Sequence, residues 1–299
     1  MNKLKKVLKN PYKLFIPLAF KGMLNWMDDK TYLKFLFRAT IGNKLDLKNP
    51  KTFSEKLQWL KLYDRNPEYT KMVDKYEAKL YVADKLGAEY VVKNYGVWDN
   101  FNDIDFDALP DQFVLKSTHD CGGLVICPDK SKLDIEAARK KIEKSLRRNY
   151  FFLSREWPYK NVKPRIIAEE FLSDASGDLK DYKMMCFNGK FECCFFCFDR
   201  NEKGKARIAT FNKKWENMQF GRDAVYTDNV LKPSNYEKMI ELAEKISKGH
   251  PFLRVDFYEV NEKLYLGELT FFPAGGIAKF TPEEWDSKLG DLIDLPITD

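Results

Sequence analysis

Histidine is nearly absent, with two residues in 299, and the six cysteines fall mostly inside apolar runs. That scarcity leaves one cysteine pair with metal-ligand spacing, Cys194 and Cys197. Phe195 and Phe196 between them suit a buried strand, and no second such pair completes a zinc site. No signal peptide precedes the cysteines, so reduced thiols in a cytoplasmic protein are expected. The glycine-bearing segment near residue 122 lacks the Gly-Lys-Ser ending of a P-loop, and no covalent nucleophile is evident. The net charge of +6 is too slight to imply nucleic acid, and the aromatic and basic stretch Tyr150 to Lys160 has no basic face or reader motif around it, so nucleic acid is not expected as a partner.

What is present is a hydrophobic content of 44%, enough for a full core in one large or two to three small domains. Charge is distributed unevenly. Lys3, Lys5, Lys6, Lys9, Lys13 and Lys21 all precede the first acid, Asp28, and are interleaved with Leu14, Phe15, Ile16, Leu18 and Phe20. This apolar run is far shorter than the roughly 20 residues that span a bilayer, and Pro11 and Pro17 are expected to interrupt any helix. Two readings stay open: a basic arm lying on an anionic membrane surface at the inner membrane face, or a solvated arm packing its aromatics on the core.

Residues 28 to 90 read as helical, with a capping box at Thr52-Phe53-Ser54-Glu55 and a helix from Lys71 to Leu86 that stops at Gly87 in a left-handed cap. Strands follow. Phe113 to Lys116 and Leu124 to Cys127 form a hairpin with Gly122 and Gly123 at its tip. A basic helix over 135 to 148, a strand at Ile166 to Ala168, a hairpin turning at Asn188-Gly189 and a helix over 235 to 247 complete the pattern. Three segments result: 1–110, helical; 111–180, with the glycine-tipped hairpin; and 181–299.

Near the C-terminus, the strand period of two puts Arg254, Asp256 and Tyr258 on one face and groups Glu268 with Thr270. A three-residue loop at Asn261-Glu262-Lys263 sets Asp256 opposite Glu268 and Arg254 opposite Thr270. Facing carboxylates repel without a cation between them, and hard oxygen ligands suit Mg²⁺.

The ordered set Lys75, Lys116, the glycine tip, Glu169-Glu170-Phe171-Leu172, Asp181, Arg254-x-Asp256 and Glu268-x-Thr270 resembles the ATP-grasp superfamily. Phe53-Ser54-Glu55-Lys56-Leu57-Gln58-Trp59-Leu60, Gly96-Val97-Trp98-Asp99, Arg155-Glu156-Trp157-Pro158-Tyr159-Lys160, Asp181-Tyr182-Lys183 and Gly267-Glu268-Leu269-Thr270-Phe271 resemble its teichuronopeptide-biosynthesis (TupA-like) branch. The resemblance implies an α+β fold of two subdomains clasping ATP behind a helical N-terminal region.

The resemblance also implies roles. Lys75 and Lys116 would meet the nucleotide phosphates, with Gly122 and Gly123 closing over them by backbone amides. Glu169, Glu170, Phe171 and Leu172 would read adenine, and Asp181 the ribose, with Lys183 beside it. Asp256, Glu268 and Thr270 would hold Mg²⁺, and Arg254 would stabilise developing charge. The segment Pro273-Ala274-Gly275-Gly276 would approach the acceptor, and Tyr150 to Lys160 would form a substrate-side lid. His119 reads as a solvated loop residue and His250 as structural. The implied activity is an ATP-dependent carboxylate–amine ligase joining a carboxylate of a surface-glycan precursor, possible lipid linkage included, to an amino acid or other amine. A sugar kinase, a sugar-nucleotide glycosyltransferase and a non-catalytic assembly subunit are the alternatives.

Overall fold

The computed structural model describes residues 11–173, 179–198, 207–222, 224–227 and 230–296. Two antiparallel sheets organise it. The strands, in chain order, are β1 (Asn94–Trp98), β2 (Phe113–Ser117), β3 (Leu124–Cys127), β4 (Ile166–Glu170), β5 (Asp181–Phe187), β6 (Lys190–Phe198), β7 (Arg207–Phe211), β8 (Gly221–Arg222), β9 (Phe252–Val260), β10 (Lys263–Thr270) and β11 (Phe280–Thr281). A four-stranded sheet runs β1-β4-β2-β3, a five-stranded sheet runs β10-β9-β5-β6-β7, and β8 pairs with β11. The smaller sheet therefore draws its edge strand β1 from within the first 110 residues.

Each sheet has its own core. Phe113, Leu115, Ile166 and Ala168 of the smaller sheet pack on Ala138 and Ile142 of the helix Ile135–Leu146. The larger core gathers Met184, Cys194, Val255 and Phe257 with Met239, Ile240 and Ala243 of the helix Tyr236–Ser247. That helix follows the 3.6 period, burying one stripe. Cys194 and Cys197 lie buried within β6 as free thiols, and among the described residues no group of three or more His, Cys, Asp or Glu is placed to hold a metal ion.

The capping box forms as expected, with Glu55 N donating to Thr52 Oγ1 and Thr52 N to Glu55 Oε2, both at 3.2 Å. The helix expected from Lys71 to Leu86 is instead two, Glu68–Val73 and Glu77–Lys85. Asp74 explains the break: its Oδ1 accepts from Tyr76 N and Glu77 N and caps a new start. Gly87 has φ +128° and ψ 148°, which is not the left-handed helical cap expected of it. Pro11 opens a short 3₁₀ turn, and Pro17 sits in the first turn of the helix Phe15–Phe20, where no intrahelical N–H is needed, so neither proline prevents helix here.

Candidate active site

The register places Asp256 opposite Glu268 and Arg254 opposite Thr270. The route differs from the three-residue loop. Asn261 and Glu262, at φ +50° and +62°, make a two-residue turn that pairs Val260 with Lys263, and a bulge at Gly267 restores the missing residue. A Cβ at Gly267 would lie 2.5 Å from Cε2 of Tyr258, so the bulge closes against that ring. On the other side of β9, β5 sets Lys183 opposite Asp256 and Asp181 opposite Tyr258. Three adjacent strands thus carry Lys183, Asp256 and Glu268 in one row.

Within this floor, Arg254 grips Asp256 bidentately, Nε to Oδ1 and Nη2 to Oδ2 at 2.7 Å each. Lys183 Nζ adds 2.7 Å to Asp256 Oδ2 and 2.5 Å to Asp181 Oδ2. Burial acts to raise the Asp256 carboxyl, but the two cations outweigh it and hold it below the ordinary carboxylate range. At Asp181 burial prevails and the carboxyl is raised. Thr270 Oγ1 accepts from Arg254 Nη2 and donates to Glu268 Oε1, both at 3.1 Å, so its hydroxyl bridges the guanidinium and the second carboxylate. Asp256 and Glu268 are the carboxylates that would hold Mg²⁺; here both Asp256 oxygens accept from Arg254 or Lys183, while Glu268 Oε1 accepts from the neutral Thr270 hydroxyl.

A second charged group lies on the smaller sheet. Lys116, near the end of β2, meets Glu169 Oε2 at 2.5 Å, and Lys79 meets Oε1 at 2.9 Å. Burial works to raise this carboxyl, yet Lys116 and Lys79 together leave it lowered. Tyr258 stands between the two groups: its hydroxyl is pushed up by burial first and then by Asp181, Asp256, Glu268 and Glu169. The Tyr258 hydroxyl thus feels carboxylates of both groups.

The glycine tip departs from expectation. Gly122 N and Gly123 N both donate to Asp120 Oδ1, at 2.9 and 3.1 Å, and Ser145 Oγ donates to the same oxygen at 2.6 Å. The amides expected to cradle phosphate are thus turned onto a carboxylate of their own loop. Gly123 is required by crowding, since a Cβ would fall 1.9 Å from Ser117 Oγ. Lys75 does reach this loop, its Nζ donating to Asp120 O at 2.6 Å. His119 is not solvated: it is buried, and Nε2 lies 3.1 Å from Ser145 O and 3.0 Å from Arg148 O. His250 is structural as read, edge-on to Tyr69 and Phe271.

The four residues read as an adenine connection divide. Glu169 enters the lysine pair, whereas Glu170 and Phe171 line a cavity of about 800 Å³ with Tyr95 and Gln112 that contains none of the floor residues. Leu172 packs by Val92, Val260 and Tyr265. The segment expected as a lid is a packed wall, with Arg155, Glu156 and Tyr159 buried.

The sequence from 55 to 294 matches the profile of the family described as TupA-like ATPgrasp. The chain belongs to that family. Its α+β architecture is accordingly the ATP-grasp fold. Solved structures similar to it include D-alanine–D-alanine ligase from Helicobacter pylori, at 13% identity and TM-score 0.43, covering 82% of this chain and 70% of that one. L-amino acid ligase from Bacillus licheniformis gives 13% identity and 0.46, covering 88% and 56%. The ATP-grasp ligase PsnB, complexed with minimal precursor, Mg and ADP, gives 13% and 0.40, covering 85% and 65%. The chain thus spans less than two thirds of the latter two. No curated protein sequence matches it.

Two features of this ATP-grasp chain escaped the sequence reading. Lys79 is the first; it lies on the helix Glu77–Lys85, and no spacing in the sequence pairs it with Glu169. The second lies behind Pro273–Gly276, where buried Lys61 donates to Gly275 O at 2.6 Å and to Ser154 O at 2.7 Å, and Gln58 Nε2 donates to Gly276 O at 2.8 Å. Burial pulls the Lys61 ammonium down to about 8, against the pull of nearby Glu156. Nothing in the spacing of the Phe53 to Leu60 motif reveals a cation turned inward.

Proposed function

We propose that the protein is an ATP- and Mg²⁺-dependent carboxylate–amine ligase. ATP phosphorylates a substrate carboxylate, and an amine displaces phosphate from the acyl-phosphate to give an amide. The observation that supports this reading is the row of Lys183, Asp256 and Glu268 with Arg254 beside it, together with the Lys116–Glu169–Lys79 group on the smaller sheet. Mg²⁺, held by Asp256 and Glu268, would supply charge neutralisation at the phosphates.

The chain's own residues do the rest. Lys116 and Lys79 carry two positive charges against one on Glu169, which leaves a net cation for phosphate. Arg254 is fixed by its fork and by Thr270, so its charge needs no reorganisation as negative charge develops on the transferring group. The Lys61 network fixes the Gly275-Gly276 carbonyls where the acceptor loop passes. By kinship with the branch, the carboxylate belongs to a bacterial cell-surface glycan precursor of capsule, O-antigen or teichuronopeptide type, and the amine to an amino acid or similar nucleophile, in the cytoplasm.

A Mg-ATP phosphate-release screen over paired uronic acids and amino acids tests this. Phosphate release that requires both partners, with ADP and an amide as products, is expected. Phosphate left on a sugar hydroxyl would identify a kinase, and consumption of UDP-sugar in place of ATP a glycosyltransferase.

A further inference from the structure

Thirteen large apolar side chains are exposed among the described residues, and seven of them fall between Tyr12 and Phe35. Such concentration marks a contact surface. Phe15 and Ala19 of the helix Phe15–Phe20 turn inward onto Tyr32 and Leu36, while Leu14, Leu18, Phe20 and Met23 remain outside and Trp26 is 82% exposed. The Trp26 indole N–H donates to Met23 O at 3.1 Å. Its ring can therefore enter an apolar layer without stranding a donor.

Two cavities meet on this face. An apolar groove of about 440 Å³ runs between Tyr12, Leu14, Leu18, Leu24, Met27 and Phe35. Beside it, a basic pocket of about 330 Å³ is lined by Tyr12, Lys34, Phe35, Arg38, Lys44 and Leu45 and has no acid in its wall. Tyr12 and Phe35, 5.9 Å apart at their ring centroids, form the partition common to both. Lys34 and Arg38 are one helical turn apart, with the Arg38 guanidinium over the Tyr12 ring at 5.8 Å from its centroid. The ten residues ahead of the described chain add Lys3, Lys5, Lys6 and Lys9 and no acid.

We infer that this face docks on an anionic phospholipid bilayer, with a lipid phosphate among Lys34, Arg38 and Lys44 and with Trp26, Phe20 and the apolar groove at the acyl boundary. Charge complementarity and the division into an apolar and a basic half select a lipid surface over a protein partner. The surface extends past the basic arm to Phe35 on the helix Asp29–Thr40. It is also fixed to the site wall: Arg155 Nη2 donates to the carbonyls of Leu24, Asn25 and Met27 at 3.2 to 3.3 Å, and Tyr32 Oη to those of Phe152 and Leu153. A bilayer-bound chain would thus hold its acceptor wall at a set distance from the lipid.

The test is sedimentation of the full chain with phosphatidylcholine vesicles, with and without phosphatidylglycerol, combined with tryptophan emission. Binding to the phosphatidylglycerol vesicles alone is expected, with a blue shift that Trp26→Phe removes. The exposed pair Lys34→Gln and Lys44→Gln should weaken partition by about fivefold for each cation removed, with circular dichroism unchanged. No binding to anionic vesicles, equal binding to both vesicle types, a shift retained by Trp26→Phe, or undiminished binding of the lysine variant would each overturn the inference. Binding of inorganic phosphate without vesicle binding would mark a free-phosphate site and overturn it too. None of these readouts requires turnover, so they stand apart from the ligase assay.

Discussion

Asp256 holds Arg254 in a two-bond fork at 2.7 Å, and both side chains are buried. With Lys183 on the same carboxylate, two cations rest on one buried acid. Asp256→Asn keeps the shape but leaves Arg254 and Lys183 without that charge. Loss of one member of a buried ion pair costs roughly 3–5 kcal/mol, so a lowered melting temperature is expected together with loss of ATP turnover. Thermal denaturation with and without Mg-ATP checks the assignment, because a ligand that binds only the folded chain raises its apparent stability. The variant should show no Mg-ATP shift. A shift as large as that of the natural chain would remove Asp256 from the nucleotide site.

Gly267 makes the register that places Glu268. Adding one methyl there brings it against the Tyr258 ring at 2.5 Å, which the bulge can relieve only by moving Glu268 or the ring. Gly267→Ala should cost about 1–3 kcal/mol in stability, as overpacking does, and lose a larger factor in turnover than that destabilisation accounts for. Tyr258→Ala in the same chain should return part of the stability. Additive effects of the two changes in a double-mutant cycle would show that the ring does not constrain the bulge.

Much of this site was legible because its signals are local. Alternation over Leu253 to Tyr258 and Leu264 to Thr270 set the polar face, and the pairing of Asp256 with Glu268 followed although the turn and bulge that produce it were not foreseen. A three-residue loop and a two-residue loop with one bulge give the same offset, so pattern alone cannot separate them. What stayed hidden depends on side chains meeting across the fold. Asp120 capturing the amides of Gly122 and Gly123, Lys79 joining Lys116 on Glu169, and Lys61 turned inward beneath Gly275 each need contacts that no periodicity encodes. The 71 to 86 helix splits for a nearer reason: Asp74 is itself a good N-cap, and its side chain competes with helix continuation by accepting from Tyr76 N and Glu77 N.

His250 gives the fold a pH dependence of its own. It is buried beside Tyr69, whose Oη lies 3.3 Å from Nδ1, and burial lowers its basicity below the ordinary 6.5 against a small opposing pull from Glu68. In the unfolded chain the imidazole takes up a proton as pH falls through about 6.5, while the folded chain resists. The unfolded state then binds more protons, so stability is lost as pH falls from 6.5 toward the lower folded value. The slope is bounded at about 1.4 kcal/mol per pH unit for one proton. His250→Gln removes the titrating group, so its denaturant midpoint should fall less than that of the natural chain between pH 7 and pH 5. The comparison isolates His250 because the carboxyls are common to both chains: lowered Asp256 and Glu169 lose their contributions as pH falls from the ordinary carboxylate range toward their folded values, and raised Asp181 is present in each. Parallel midpoints for the two chains across that interval would mean that His250 accepts its proton in the folded state as readily as in the unfolded one.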